Sequence, residues 1–376
     1  MGDYRTSFKL LCPGPVNVHP EIARALTAYE ICHREEEFEA LLAATRRNAL
    51  AVAGADAAVY SALVVTGSGT AGNEAVLASA VAPDQTVVVL SNGEFGTRLA
   101  QISSVYNDTV HLEHAWGEPL DLHRLSEVLH ERGDIGLVAV VHHETSTGVL
   151  NPVEAIGELC ALHGVRLFVD MVSSYSADPV DLSSGAITFM TTSSGKAIAA
   201  YPGLALVIAR RDALEALGDL PVKNHYLSLY RHHRFAEDHE QTPNTPAVPL
   251  VMALNRALEL ALEEGVEARR KRLAGLAAYV RAAVRERGLS LYVEDQPLSS
   301  VLTSVRLPEG VAFEPLRRAL REWGFVIYGG KGPLTGQIVQ ISTISDLDTD
   351  VIDAFFAALD EVMPHLRVVR GGQLRG

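Results

Sequence analysis

The chain has 376 residues, of which 48% are hydrophobic and 21% charged, a composition typical of a folded protein of roughly two to three domains at ~150 residues each. The 32 Lys and Arg residues against 46 Asp and Glu give a formal net charge of −14, which disfavours nucleic acid and anionic membranes as partners but allows a local cationic pocket. The three cysteines have no metal-binding spacing, and no apolar segment has signal-peptide or membrane-spanning length, so we predict a cytoplasmic protein without a metal site.

Strands and helices alternate along the first half of the chain. Apolar residues recur at helical spacing over 35–52, and a short strand at 63–66 leads into a Gly/Ser/Thr cluster. The next predicted elements are, in order, helix 71–81, strand 86–90, helix 94–106, strand 109–112, helix 121–130, strand 136–141, helix 152–163 and strand 166–169. This alternation predicts an α/β fold with a mostly parallel sheet covered on both faces.

The second half of the chain has a different pattern. Strand-like runs at 187–191 and 204–209 suggest a hairpin-like edge, and the His- and Arg-rich stretch 223–244 is predicted to be a long loop. The remaining predicted elements are helices at 247–264, 267–287, 313–323 and 349–362 and strands near 289–293, 301–305, 326–328 and 338–342. We therefore expect an N-terminal arm (1–20), a large domain (21–270) and a smaller α+β C-terminal domain (271–376).

Two residues at predicted strand ends have the chemistry of an active site. Asp170 ends the strand 166–169, and Lys196 follows the strand 187–191 within the small-residue turn Ser193-Ser194-Gly195-Lys196. Open α/β sheets bind ligands at the carboxyl ends of their strands, and a lysine of lowered pKa forms Schiff bases with aldehydes. Taken singly, Asp170 is more typical of a turn or helix cap and Lys196 of a solvated surface lysine.

A third candidate is the Gly-rich turn that opens the helix after strand 63–66. Backbone N–H groups in such a turn can approach an anion closely, and Ser68 and Thr70 add hydroxyl donors around Gly69. The pattern predicts a phosphate site, with simple chain reversal as the alternative.

These parts, in this order, resemble the fold type I pyridoxal-phosphate enzymes, and among them the class V aminotransferases, with the greatest likeness to 2-aminoethylphosphonate:pyruvate transaminases. The resemblance covers nearly the whole chain. Its motifs are Leu-Cys-Pro-Gly-Pro-Val at 11–16, Cys-His-Arg-Glu at 32–35, the Gly-rich turn at 67–70, Ser-Asn-Gly-Glu-Phe-Gly at 91–96, His-His-Glu-Thr-Ser-Thr-Gly at 142–148, Val-Asp at 169–170, Ser-Ser-Gly-Lys at 193–196 and Ile-Tyr-Gly-Gly-Lys at 327–331.

The resemblance implies a role for each matching residue. Lys196 would bind pyridoxal 5'-phosphate covalently and move a proton, and Asp170 would pair with the protonated pyridine nitrogen. Ser68, Gly69 and Thr70 would hold the phosphate, with Ser193 close by. Phe95 would stack on the ring, and Thr145 or Thr147 would lie beside the ring's phenolic oxygen. Thr245 would reach the phosphate of the neighbouring subunit, which implies a homodimer with shared active sites acting on a small amine and a keto acid.

The sequence departs from the family pattern at two positions. Gln340 stands where relatives carry an arginine that binds the substrate's acidic group, and a neutral amide cannot replace that cation. Arg34 is the first candidate to supply the missing charge, with Arg231, Arg234 and Lys331 as others. Gly195 replaces a larger residue of the relatives, which would leave room for a bulkier substrate or a water, or have no consequence.

Three functions follow from these observations. The first is a transaminase acting on an amine such as 2-aminoethylphosphonate. The second is a lyase or carbon-bond-forming enzyme that uses the same lysine and cofactor, which Gln340 favours. The third, a non-catalytic homologue, is disfavoured because Asp170 and Lys196 are both intact.

Overall fold

The computed structural model describes residues 8–344 and 347–366. Its strands are, in chain order, β1 (Lys9–Leu10), β2 (Tyr60–Thr66), β3 (Thr86–Ser91), β4 (Asp108–Glu113), β5 (Ile135–Val141), β6 (His143–Glu144), β7 (Val149–Leu150), β8 (Arg166–Asp170), β9 (Ile187–Ser193), β10 (Leu204–Arg210), β11 (Leu302–Arg306), β12 (Phe325–Val326), β13 (Tyr328–Gly329) and β14 (Ile338–Ser342). The α-helices are α1 (Pro20–Leu26), α2 (Glu36–Ala53), α3 (Gly69–Ser79), α4 (Glu94–Tyr106), α5 (Leu122–Glu131), α6 (Val153–Leu162), α7 (Arg211–Ala216), α8 (Leu229–His239), α9 (Val248–Glu264), α10 (Val266–Glu286), α11 (Phe313–Glu322) and α12 (Thr349–Leu366).

The largest sheet among the described residues has seven strands in the order β2-β10-β9-β8-β5-β3-β4. All neighbours are parallel except β10, which is antiparallel to both β9 and β2. The pair β9–β10 is therefore antiparallel as predicted, but it is not the edge of the sheet, because β2 lies outside it. The predicted parallel α/β fold is confirmed.

Continuous apolar strands allow the sheet to be buried on both faces. Along β3, Val88 and Leu90 belong to the core on one face, whereas Val87 and Val89 belong to the core on the other. This alternation follows from the two-residue repeat of a strand. The carboxyl ends of β8 and β9 meet at one edge of the sheet, since these strands are parallel neighbours.

The C-terminal region is a three-stranded antiparallel sheet of order β11-β14-β13 packed with α10, α11 and α12. Residues 326–328, predicted as one strand, are divided between two sheets, because β12 pairs in parallel with β1 and β13 pairs with β14. The predicted strand 289–293 is reduced to a single bridge between Leu291 and Val305. Through the pairing of β1 with β12, the N-terminal segment is joined to the C-terminal region.

The prediction of a long loop over 223–244 was wrong, because α8 occupies its centre. Ser228 caps this helix by accepting a hydrogen bond from the Arg231 backbone N–H, and one face of the helix, including His232 and His233, is buried. Burial lowers the pKa of His232 to about 4, so this histidine is neutral and behaves as a core residue. Periodicity based on hydrophobic residue types does not detect such a face. In the described part of the chain, no helix is long and apolar enough to cross a membrane.

Candidate active site

A cavity of about 360 Å³ lies at the carboxyl end of the sheet, against the N-terminal segment. Its wall includes six residues that the sequence predicts as cofactor contacts together with the two predicted catalytic residues. These residues are Ser68, Gly69, Thr70, Phe95, Thr145, Asp170, Ser193 and Lys196. The fold thus gathers on one cavity the side chains that sequence reasoning chose from five separate segments.

Lys196 is held against the N-terminal segment. Its Nζ donates a hydrogen bond to the Pro13 carbonyl oxygen at 3.0 Å. A Cβ on Gly14 would lie 2.8 Å from Lys196 Nζ, and Gly14 has φ of +137°, so only glycine leaves the lysine its position. Burial, followed by the positive charge of Lys331, lowers the pKa of Lys196 to about 8. A substantial fraction of the amine is therefore neutral, and nucleophilic, near neutral pH.

Gly195, next to the lysine, does not leave the room that the sequence suggested. A Cβ at this position would lie 2.7 Å from Pro202 Cβ and 2.8 Å from Pro202 Cα. The expectation of space for a bulkier substrate or a water at Gly195 was wrong, because Pro202 fills it.

Asp170 is buried at the end of β8 and is oriented by fixed donors. Asn73 Nδ2 donates to Asp170 Oδ2 at 2.6 Å, and the Val172 backbone N–H donates to Oδ1 at 2.8 Å. Thr191 Oγ1 in turn donates to Asn73 Oδ1 at 2.5 Å, which fixes the direction of the amide. Burial raises the pKa of Asp170, while these donors and the nearby Lys196 oppose the shift. A cation facing the carboxylate would favour its ionised form.

The helix α3 begins at the cavity wall. Gly69 and Thr70 are its first residues, and the side chain of Ser68 makes no capping hydrogen bond, so backbone N–H groups at this end are not satisfied by the cap. A Cβ on Gly69 would lie 2.6 Å from Val172 Cγ2, which explains why glycine is needed here. The uncapped helix start is a suitable binding site for a phosphate.

The backbone of Phe95 is held in place by the buried carboxylate of Glu144. Glu144 accepts hydrogen bonds from the backbone N–H groups of Phe95 and Gly96 at 3.1 and 3.0 Å. Ser146 also donates to Glu144 through its backbone N–H and its hydroxyl. Glu144 therefore joins the start of α4 to the turn 144–148, and this turn carries Thr145 and Thr147.

The two threonines of this turn differ in position. Thr145 lines the cavity and donates to Ser173 Oγ at 2.7 Å. Thr147 is buried and donates to the Glu144 carbonyl oxygen at 3.1 Å, and within the described chain it is not part of the cavity wall.

Gln340 is fully enclosed in the C-terminal sheet. Its Nε2 donates to the Thr145 carbonyl oxygen at 2.7 Å and lies 3.3 Å from the Ser146 carbonyl oxygen. Its amide nitrogen is therefore used to hold the turn that carries Thr145, and Gln340 is not among the described residues of the cavity wall.

The other predicted contacts lie outside the cavity of this single chain. Arg34 is exposed and donates to Gln241 and to the Thr242 carbonyl oxygen. Thr245 is exposed, with its hydroxyl 3.4 Å from His33 Nε2. Arg231 donates to the His225 carbonyl oxygen and Arg234 pairs with Asp238, so neither points to a ligand here.

Sequence reasoning missed several residues of the wall. Arg98 lies one turn along α4 from Phe95, with its Cζ 4.9 Å from the Phe95 ring centroid. Asn73 lies about one turn into α3 and also lines the cavity. Its helical spacing from the start of α3 could have indicated this position. The His143 ring is buried, and neither of its nitrogens has a hydrogen-bond partner among residues 8–344 and 347–366. Burial lowers the pKa of His143 to about 4. Lys331, suggested only as a possible cation, lies on the wall.

A mostly parallel sheet with a partly buried lysine after one strand and a buried carboxylate after its neighbour is the arrangement of the fold type I class of pyridoxal-phosphate enzymes. Within this class, the family model "Aminotransferase class-V" matches residues 22–339, and the chain belongs to this family.

Relatives and solved structures agree with this assignment. An uncharacterized aminotransferase of Methanocaldococcus jannaschii is 35% identical over 335 residues, covering 88% of this chain and 86% of its own. The 2-aminoethylphosphonate–pyruvate transaminase of Salmonella typhimurium is 32% identical, covering 86% and 89% of the two chains. The crystal structure of alanine–glyoxylate aminotransferase from Nostoc sp. superposes with a TM-score of 0.89 at 30% identity, covering 95% of each chain. The chain is a pyridoxal-phosphate-dependent transferase.

The residues of the cavity fit this cofactor. Lys196 offers an amine for the aldehyde, Asp170 a carboxylate for a protonated ring nitrogen, and the uncapped start of α3 a set of N–H groups for the phosphate. The two glycines at 14 and 69 keep this space clear, since a side chain at either would overlap Lys196 or Val172.

Proposed function

We propose that this chain is an aminotransferase that moves the amino group of a small acidic amine, of the 2-aminoethylphosphonate type, to a keto acid. The observation that carries the proposal is the pairing, on one cavity, of a lysine whose pKa is lowered to about 8 with a buried and doubly hydrogen-bonded Asp170. The resemblance to 2-aminoethylphosphonate–pyruvate transaminases supports the substrate class.

In this proposal the cofactor supplies an aldehyde carbon and an electron-withdrawing ring that stabilises negative charge on the substrate carbon. Lys196 Nζ would hold the cofactor through its aldehyde group, and its neutral amine would accept the proton of the substrate carbon that bears the amino group. A neutral amine is required for this step, and the burial that lowers the pKa of Lys196 provides it.

The other residues of the site would hold and orient the cofactor and the substrate. Asp170 keeps the ring nitrogen protonated, with Asn73 fixing the carboxylate. Ser68, Gly69, Thr70 and Ser193 would hold the phosphate, and Phe95 would cover a ring face. Thr145, which lines the cavity, would lie beside the phenolic oxygen, with Thr147 behind it in the same turn. Arg34 contributes to substrate binding through the assembled dimer.

We further propose a cytoplasmic homodimer in which Thr245 reaches the phosphate of the other subunit. The exposure of Thr245 in the single chain, away from its own cavity, supports an intersubunit role.

The test is a single-turnover experiment on the cofactor-loaded protein with 2-aminoethylphosphonate and, separately, with alanine. We expect conversion of the cofactor to pyridoxamine phosphate with release of the aldehyde or keto product, and reversal by pyruvate. Release of ammonia without pyridoxamine phosphate would contradict transamination and favour the lyase, the candidate that the neutral Gln340 supports. A Lys196→Ala variant is the control that removes both reactions.

A further inference from the structure

The wall of the cavity carries more positive than negative charge. Its cationic side chains are Lys196, Arg98 and Lys331, whereas Asp170 is the carboxylate found among its described residues. Two of these charges already have a role or a partner: Lys196 faces the Pro13 carbonyl, and Arg98 pairs with Glu94 at 3.0 Å. Lys331 is the charge that remains to be explained.

Among the described residues, Lys331 is paired with no carboxylate. In the described chain it makes no ion pair or side-chain hydrogen bond, and its recorded side-chain contact is with the Phe95 ring, whose centroid lies 5.4 Å from Nζ. The side chain is exposed at the mouth of the cavity. A lysine is ordinarily solvated at such a place, but this one faces an aromatic ring in a cavity that also holds the reactive amine.

The backbone of Lys331 is held firmly. A Cβ on Gly330 would lie 2.1 Å from the Leu334 carbonyl oxygen, and a Cβ on Gly332 would lie 2.9 Å from Trp116 Cη2. The Leu334 backbone N–H also donates to the Lys331 carbonyl oxygen at 2.9 Å. Close packing on both sides therefore fixes the backbone of Lys331, whose side chain lines the cavity.

Lys331 and Lys196 line the same cavity. Among nearby charges, Lys331 has the largest effect on Lys196, lowering its pKa after burial has done so. A substrate whose amine reacts at Lys196 would extend toward Lys331.

Gln340 cannot supply the cation, since its amide is neutral and its nitrogen is committed to the Thr145 carbonyl oxygen at 2.7 Å. We propose that Lys331 is the anion-recognition residue of this site and binds the carboxylate or phosphonate of the amine substrate, with Arg98 strengthening the positive field around Phe95. This proposal rests on the proposed function. A lysine ammonium is a compact charge without the fixed fork of a guanidinium, so it accepts trigonal and tetrahedral anions alike.

The first arm of the test compares Lys331→Ala with Lys271→Ala, an exposed lysine on α10 that pairs with Glu267 outside the cavity. The cofactor-loaded proteins react in single turnovers with 2-aminoethylphosphonate, with β-alanine and with propylamine, which lacks an acidic group. We expect Lys331→Ala to lower kcat/KM for both acids, relative to kcat/KM for propylamine, by about tenfold to a hundredfold, the range for a hydrogen bond to a charged group. The rate with propylamine reports any effect that the lost charge has on Lys196 itself. An equal loss for all three amines would overturn the proposal.

The second arm does not depend on transamination. Binding of methylphosphonate and of acetate to the loaded protein is followed by the absorbance of the cofactor, and the dissociation constant is measured for each variant at two ionic strengths. We expect weaker binding of both anions in Lys331→Ala alone, with a smaller difference at high salt, because Lys331 is exposed. Unchanged binding would overturn the proposal.

A third measurement separates the substrate's anion from the cofactor's phosphate. If Lys331→Ala weakened retention of the cofactor while leaving methylphosphonate binding intact, Lys331 would serve the phosphate and the proposal would be wrong. If no amine converted the cofactor in the wild-type protein while methylphosphonate still required Lys331, the proposed transamination would fail and the anion site would stand.

Discussion

Gln340 Nε2 donates a hydrogen bond of 2.7 Å to the carbonyl oxygen of Thr145, and this contact joins the C-terminal sheet to the wall of the active site. Through the same turn, Glu144 accepts the backbone N–H of Phe95. Gln340, which stands where the family pattern has an arginine, is thus a structural link between the C-terminal sheet and the candidate cofactor site.

This link predicts the effect of removing Gln340. In Gln340→Ala the buried carbonyl oxygen of Thr145 loses its donor, so we expect the free energy of unfolding to fall by about 1–3 kcal/mol and kcat to fall with it. Denaturant unfolding and steady-state kinetics measure both quantities. Gln337→Ala, which removes an exposed amide bonded to the Pro333 carbonyl oxygen, is the control and should leave both nearly unchanged. Equal effects of the two variants would contradict the role given to Gln340.

The lowered pKa of Lys196 predicts how cofactor loading depends on pH. The neutral amine is the reactive form, so the rate of incorporation into cofactor-free protein should rise as the pH increases through about 8 and level off above it. Removing the positive charge in Lys331→Gln should raise the pKa of Lys196 and move this midpoint upward. Stopped-flow absorbance at a series of pH values measures the midpoint. A midpoint near the ordinary lysine value of 10.5 would show that burial does not tune the amine.

Two glycine variants can separate the effect of backbone strain from the effect of crowding Lys196. Gly14→Ala combines a φ of +137° with a Cβ 2.8 Å from Lys196 Nζ, whereas Gly164→Ala has a φ of +65° and no neighbour within 4 Å. We expect each to lower the free energy of unfolding by about 1–3 kcal/mol, because alanine is strained at positive φ. Only Gly14→Ala should also slow covalent attachment of the cofactor. Normal attachment in Gly14→Ala would mean that Lys196 is free to move.

The proposed role of Thr245 predicts complementation between subunits. Thr245→Ala should weaken retention of the cofactor by about tenfold, the effect of losing about 1.4 kcal/mol. Mixing this variant with Lys196→Ala should restore retention in the mixed dimers, because the site with the intact lysine then receives Thr245 from its partner. Retention is measured by dialysis and absorbance. A mixture that behaves as the sum of its parts would place Thr245 outside the shared site.

Much of this site could be predicted from local sequence. Asp170 and Lys196 were found because parallel strands end at the same edge of the sheet, and Ser68, Gly69 and Thr70 because a glycine-rich turn opens a helix there. Each of these signals lies within a few residues of the end of a strand, so the strand pattern and the reactive side chain are read from the same short segment.

The residues that sequence missed depend on packing between distant segments. The local sequence does not show that Pro13 and Gly14 pack against Lys196, which follows β9. Nor does it show that Pro202 fills the space beside Gly195. The helix α8 was missed for a different reason, since its buried face contains His232 and His233, which hydrophobic patterns treat as polar. Buried histidines are core residues that composition alone does not reveal.

The central claim of this account is that Lys196 is the lysine that binds the cofactor, and the cavity holds a second lysine, Lys331, as the natural competitor. Borohydride reduction of the loaded protein, followed by digestion and mass spectrometry, identifies the modified residue. We predict stoichiometric modification of Lys196 with Lys331 unmodified, and no stable adduct in Lys196→Ala. Modification at Lys331, or an equal adduct in Lys196→Ala, would contradict the account.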